Sequence, residues 1–254
     1  MELLERHHGV GARAGGAPAW MLERLDRALD ALATGAAGGA VEVGERLERD
    51  RDALAELAES LRVGETCFYR DPPAWDALRA AWRPGVVRGD GARALSVGCS
   101  TGEEAWTLAM VLEEACGGRG ARVVALDRSR PALAVARAGT YPREAARHLP
   151  ADLGARYLVS DAADHVRVVD SLRRTVAFVE RDATSGLPPG AWDLVVCRNV
   201  LIYFGDDAGA ALVRALGAAL APGGALLVAR SEVARVRALG LAARELAPGV
   251  VVFG

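Results

Sequence analysis

The chain has 254 residues, 51% of them hydrophobic, and a formal net charge of −2, enough for one α/β domain with a sizeable core and a small extra module. No apolar run reaches the ~20 residues of a bilayer span, and the opening MELLERHHGV lacks the basic-then-apolar order of a signal peptide, so a cytoplasmic protein without direct membrane insertion is expected. Cys67, Cys99, Cys116 and Cys197 show no CxxC spacing and the four histidines no HExxH, so neither disulfides nor a metal site is expected.

Residues 1–60 read as a small all-α domain. Trp20–Leu32 places Met21, Leu25, Ala28, Leu29 and Leu32 at helical spacing, and a second helix is predicted over about Glu45–Leu61. Seven Arg stand here against twelve Asp and Glu, which excludes a basic nucleic-acid arm. Residues 61–75 then form a linker, LRVGETCFYRDPPAW, in which Asp71-Pro72-Pro73 breaks the chain before a helix. Glu65, Thr66, Phe68, Tyr69 and Arg70 make a polar–aromatic cluster there, which either packs on the next domain or lines its pocket. The planar fork of Arg70 suits a carboxylate.

Residues 76–254 are organised around Ala94–Leu108, ALSVGCSTGEEAWTL. A short apolar strand breaks at Gly98, passes Gly102 and continues as a helix opening with Glu103 and Glu104. Strand, glycine turn and helix N-terminus form a nucleotide-type pocket at the carboxyl edge of a parallel sheet. Ser100 stands where the dinucleotide fingerprint has its middle glycine, and two carboxylates on the first turn would repel a pyrophosphate. A cofactor carrying positive charge and hydroxyls, such as S-adenosylmethionine, fits better than NAD.

The next strand, Arg122–Leu126, ends in Asp127, placed either to accept ribose hydroxyls or to cap the helix Pro131–Ala138. Val166–Val169 and Val176–Val179 are predicted as an inserted β-ribbon (a subdomain of about residues 156–180) that leads into a sheet strand near Asp182. Trp192–Val196 is a buried strand ending in CRNVLIYF, which puts Arg198, Asn199 and Tyr203 at the ligand edge. A helix over Ala208–Leu220, a Pro222-Gly223-Gly224 turn and a strand over Ala225–Ala229 follow. The sequence has no Lys or Gln, and Asn199 and Ile202 are its single Asn and Ile; both fall in CRNVLIYF.

The stretches VGETCFYRDP, ALSVGCSTGEEAWTLAM, ALDRSRPALAVARAGTY, WDLVVCRNVLIYF and LAPGGALLVARSE together resemble the CheR-type family of S-adenosylmethionine-dependent protein-glutamate O-methyltransferases that act on chemoreceptors. The resemblance runs from about Leu61 to Glu232. It implies an α/β, Rossmann-like class I methyltransferase sheet with a small inserted β-ribbon, preceded by a small all-α domain. It also implies that S-adenosylmethionine is the cofactor and S-adenosylhomocysteine the product.

Carried over by position, the resemblance puts Thr66 and Arg70 on the cofactor from the linker, and the Gly98–Gly102 loop with Glu103 or, by preference, Glu104 at its methionine end. It puts Asp127 on the ribose, Asp182 and Ala183 near the adenine, and Arg198 and Asn199 on the strand-end wall. Arg70 and Tyr203 are the candidates for positioning the substrate carboxylate or shaping the methyl channel, neither as a base. A monomer acting on chemoreceptor helices or a related signalling protein is implied, with the ribbon matching a subdomain that some family members use to dock a receptor tail.

Departures from the family pattern are Gly64 for Asn, Ser129 for a second Asp, Asp182-Ala183 for Asn-Leu, GEEAWT for GEEPYS, and Ala229-Arg230 for small-His. The rival readings are a degenerate non-catalytic module of the same family and a methyltransferase for a different substrate on the same fold.

Overall fold

The computed structural model describes residues 1–12, 16–34, 39–61, 66–82, 91–118, 120–161, 164–247 and 250–254. The Gly64 departure and Glu65 lie outside these residues. By internal contacts the chain divides into two compact units, residues 1–64 with 201–212, and residues 65–200 with 213–254.

The first unit is helical: α1 (Glu2–His8), α2 (Ala19–Ala33), α3 (Gly39–Arg49) and α4 (Arg51–Ser60). Met21, Leu25, Val43, Leu47, Leu54 and Leu57 share its buried core, as the helical periodicity requires. The single helix expected over Glu45–Leu61 is two helices. Asp50 interrupts it with an extended backbone, and its Oδ1 accepts the N–H groups of Asp52 and Ala53 at 2.9 and 3.0 Å, an N-cap that starts α4 afresh. Residues 201–212 join this unit through an antiparallel bridge between Phe204 and Val10.

The second unit opens with α5 (Pro72–Ala81), whose prolines occupy the first helical positions, where no N–H is needed. Strands β1 (Arg93–Val97) and β2 (Arg122–Asp127) flank α6 (Glu103–Cys116), and α7 (Arg130–Ala138) follows. A three-stranded antiparallel sheet is then built from β3 (Thr140–Pro142), β4 (Leu158–Asp161) and β5 (His165–Val168), with α8 (Ala151–Tyr157) between the first two. The chain returns through α9 (Asp170–Arg173), β6 (Val176–Glu180), β7 (Trp192–Cys197), α10 (Asp206–Ala218, counted with the first unit as far as Leu212), β8 (Leu220–Val228), α11 (Val233–Ala238), β9 (Ala243–Ala247) and β10 (Val250–Phe253).

The main sheet has the order β6-β2-β1-β7-β8-β10-β9. β6, β2, β1, β7 and β8 are parallel, and β10 runs antiparallel to its neighbours. This is the expected Rossmann-like sheet, with its topological switch point between β1 and β7. β1 is buried at four of its five positions and β7 at five of its six, so both read as near-continuous apolar runs.

The inserted ribbon differs from its expected composition. Val176–Glu180 pairs with β2 in the main sheet, Val123 opposite Val176 through Asp127 opposite Glu180. The small sheet instead recruits Thr140–Pro142 and Leu158–Asp161 on either side of His165–Val168. Three-residue β3 carries too short a pattern to be read from sequence. β6 alternates weakly because its position at the sheet edge leaves it half-exposed.

Candidate functional site: the carboxyl edge at β1 and β7

The strand ends at the switch point carry unusual backbone. Among the described residues, the non-glycine residues with left-handed φ are Tyr69 (57°), Asp71 (65°), Ser100 (51°) and Asn199 (57°). All four lie in the linker, the glycine loop or the segment after β7. Such conformations cost free energy and concentrate where a surrounding structure enforces them. The lone asparagine thus has a conformational reason for its place, since Asn tolerates φ above zero better than most residues.

The glycine loop is held from three sides. Gly98 and Cys99 donate to the Leu126 carbonyl at 2.8 and 3.0 Å, and the Ser100 N–H donates to Asp127 Oδ2 at 2.8 Å. Gly98 has φ 73°, and a Cβ there would meet a Val200 methyl at 2.5 Å, so the loops after β1 and β7 approach closely. At the other end the Tyr141 hydroxyl, carried by β3, donates to the Thr101 carbonyl at 2.7 Å and accepts from Trp106 Nε1 at 2.9 Å.

Asp127 is 4% exposed. Besides Ser100, it accepts the Ser129 N–H at 2.9 Å. The capping role that the sequence left open belongs to Ser129, whose Oγ accepts the Ala132 N–H at 3.3 Å. Asp127→Ala is therefore expected to free two backbone donors together, costing about 2–4 kcal/mol. A calorimetric titration with S-adenosylhomocysteine is expected to show affinity reduced ten- to a hundredfold.

Glu103 and Glu104 diverge. Glu103 is 5% exposed and accepts the Thr101 hydroxyl at 2.7 Å, with burial raising its carboxyl above the usual range. Glu104 accepts the Ser96 hydroxyl at 3.1 Å and lies 3.8 Å from the Arg198 guanidinium. Burial pushes its carboxyl up to about 7, against the opposing pull of Arg198, Ser96 and Arg70 and with the support of Glu232.

The raised value has a sign. The folded state holds a proton on Glu104 that the unfolded state has already released. Stability from this group is full below about pH 4.5 and falls through about pH 7, by on the order of 3 kcal/mol in total. A bound ammonium group favours the ionised form. Affinity for S-adenosylhomocysteine is accordingly expected to rise about eightfold from pH 6 to pH 7.5. Glu104→Gln is expected to flatten both profiles, read by calorimetry and by melting of the cofactor-free protein.

Arg198 organises the linker. Its side chain is 3% exposed. It donates to the Arg70 carbonyl at 2.9 Å and to Asp71 Oδ2 at 3.1 Å, and it lies over the Trp75 ring at 5.6 Å. Trp75 Nε1 donates to the same Arg70 carbonyl at 3.0 Å. The Tyr69 N–H donates to the Thr107 hydroxyl at 3.0 Å, and its own hydroxyl bonds Asp76 at 2.8 Å. Phe68 and Tyr69 are fully buried, Phe68 edge-on to Tyr141 at 5.0 Å, so the linker aromatics pack on the domain.

Other expected site residues stand as follows. Arg70 is half-buried, its backbone fixed as above, and Thr66 is half-buried. The Asp182 carboxylate turns inward on its own loop, where Oδ1 accepts the Thr184 N–H and hydroxyl at 2.8 and 2.7 Å. Ala183 opens the one-turn 3-10 helix that Asp182 caps. Tyr203 belongs to the first unit, where its ring meets Trp20 edge-on at 5.6 Å.

Three residues outside the predicted set carry the geometry: Tyr141, Thr107 and Glu232. Glu232 Oε2 accepts the N–H groups of Asn199 at 3.1 Å and Ala229 at 3.0 Å. Each lies in a stretch that carries the family resemblance, but no spacing rule connects residues so far apart.

The donor set fits S-adenosylmethionine: a buried carboxylate at the end of β2 for hydroxyls, a half-buried one at the start of α6 for an ammonium group, and a glycine loop open to close approach. Sheet order and site together define a Rossmann-like, class I methyltransferase that uses S-adenosylmethionine.

The chain belongs to the CheR methyltransferase family: the family model described as "CheR methyltransferase, SAM binding domain" matches residues 64–239. It is 31% identical over 219 residues to "Chemotaxis protein methyltransferase 2" of Pseudomonas aeruginosa, covering 82% of this chain and 76% of that protein. It is 32% identical over 250 residues to "Probable biofilm formation methyltransferase WspC" of Pseudomonas putida, covering 94% of this chain and 57% of that one. It is 31% identical over 196 residues to an uncharacterized 104.1 kDa protein of Rhodobacter capsulatus, covering 74% of this chain but 20% of that protein. The chain thus spans most of one relative and a smaller part of the other two.

Proposed function

We propose that the chain transfers a methyl group from S-adenosylmethionine to glutamate carboxylates of a protein substrate, a chemoreceptor or related signalling protein, in the cytoplasm. The observation that carries this reading is the anchoring of the family-specific linker. Arg198, from the strand-end wall, grips the Arg70 carbonyl and Asp71 while facing Glu104. Relatives that share this domain are named as chemotaxis methyltransferases, which supports the substrate class. Among the described residues no helix is long and apolar enough to cross a membrane.

When bound, the cofactor supplies a methyl group on a positively charged sulfonium. A glutamate substrate of pKa ~4.3 is ionised at neutral pH and needs no general base. The work left to the protein is alignment and exclusion of water. In this reading Glu104 holds the ammonium end and Asp127 the ribose. Asn199 lines the wall, and Arg70, its backbone fixed twice, turns its side chain to the incoming carboxylate.

The test is tritiated methyl transfer into membranes or lysate of the source cell. Base-labile label in a protein marks a carboxyl methyl ester. Stable label, or label confined to RNA or small molecules, overturns the substrate reading.

A further inference from the structure

The end of β7 carries a bond that neither strand pairing nor helix capping accounts for. The last paired residues of β7 and β8 are Cys197 and Val228. One residue beyond Val228, the Ala229 N–H donates to Glu232 Oε2 at 3.0 Å, as the glutamate of a capping box does within its own turn. The same oxygen leaves that turn and accepts the Asn199 N–H at 3.1 Å, 33 positions away on the neighbouring strand end. The Glu232 N–H in turn donates to the Ala229 carbonyl at 2.8 Å. Glu232 is 2% exposed, and a carboxylate is buried this deeply only where donors compensate its lost hydration.

We infer that Glu232 is a positioning residue of the cofactor site: its carboxylate forms the next rung between β7 and β8 and holds Asn199 in its left-handed conformation beside the glycine loop. The inference rests on the reading of this edge as the S-adenosylmethionine site. With φ at 57°, Asn199 occupies a left-handed conformation that asparagine enters at small cost and a free chain leaves as readily. The bond from its N–H fixes the peptide at the point where the chain leaves β7. The direction of the Asn199 side chain then follows from this bond to Glu232.

The experiment measures S-adenosylhomocysteine affinity by calorimetry, well below the melting temperature, for E232Q, E232D, N199G and N199G/E232D. E232Q keeps an oxygen acceptor at the same reach, and its affinity is expected within about threefold of wild type. E232D withdraws the acceptor by one methylene while keeping the charge, and is expected to lose about tenfold. Because Glu232 acts through Asn199, N199G/E232D is expected to bind within about threefold of N199G.

Wild-type affinity in E232D, or losses that multiply in the double variant, overturns the inference. Should E232D fail to fold, N199A disfavours the same backbone conformation from the other end of the bond. It is expected to lose affinity about tenfold, and wild-type binding by N199A overturns the inference equally. Absence of binding by the wild-type protein removes the cofactor reading and this inference with it. Wild-type binding with an unaffected E232D removes the inference alone.

Discussion

Arg198→Met is expected to lower affinity for S-adenosylhomocysteine about a hundredfold at pH 7, with part of the loss recovered at pH 9. The substitution keeps most of the side-chain volume beside Trp75 and deletes the charge. The Arg70 carbonyl loses one of its two donors, and Asp71 its partner. Lost hydrogen bonds involving charged groups cost about 1.5–3 kcal/mol each, and Asp71, 44% exposed, recovers part of its share from water. The larger consequence falls on Glu104. Arg198 is the strongest influence holding its carboxyl down, and Glu232 still pushes it up. Without Arg198 the Glu104 carboxyl stays protonated at neutral pH, and an ammonium ligand loses its counter-charge until the pH is raised.

Arg198→Lys keeps the charge but lacks the fork that reaches two acceptors at once. It is expected to restore the pH profile of Glu104 without restoring turnover. Parallel calorimetry at pH 7 and pH 9 with single-turnover methyl transfer separates the two effects. An R198M variant with wild-type affinity at pH 7 would remove the guanidinium from the site.

Gly102→Ala is expected to abolish measurable cofactor binding and to lower the melting temperature by about 5–12 °C. The residue has φ 99°, and a Cβ would stand 2.7 Å from the Ala136 methyl, 3.0 Å from the Ala136 Cα and 3.0 Å from the Tyr141 hydroxyl. Two of these neighbours belong to α7 and cannot swing aside. Backbone strain and overpacking together cost about 2–4 kcal/mol, and 1 kcal/mol corresponds to about 2–4 °C in a chain of this size. The displaced loop would carry Thr101 away from Tyr141 and Ser100 away from Asp127. Thermal melting and calorimetry decide the matter, and a variant that melts and binds as wild type would show that the loop has room to spare.

The ribbon reaches the loop through Tyr141. It pairs with Val166 inside the small sheet, while its hydroxyl sits on the Thr101 carbonyl. The glycine turn is therefore supported by the first strand of the small sheet. This support is physical packing, with the phenol buried and held between a donor and an acceptor.

What could be read from the chain alone followed from short-range physics. Ala94–Val97, a glycine with no Cβ and two glutamates on a first helical turn specify strand, tight turn and helix over Ala94–Glu104, and the structure has β1, Gly98–Gly102 and α6 there. The parallel sheet was legible for the same reason, because strands buried on both faces are continuous apolar runs. Asp50 and Ser129 capped helices where the sequence pointed elsewhere. A cap is decided by which oxygen the folded backbone brings within reach of an N–H, and several polar residues near a helix start compete for it.

The assignments that depended on distant partners waited for the tertiary structure. Val176–Glu180 carries the alternation of a ribbon strand, but β2 offered it a parallel partner over five residue pairs, and ladder bonds outweigh a weak local pattern. Asp182 Oδ1 accepts the N–H and hydroxyl of Thr184, two residues away in its own loop, a pairing within short-range reach. Glu232 gave no sequence signal for the opposite reason. Its role lies in bonding a backbone group 33 positions earlier, and only the closing of β8 against β7 brings that carboxylate and that N–H together.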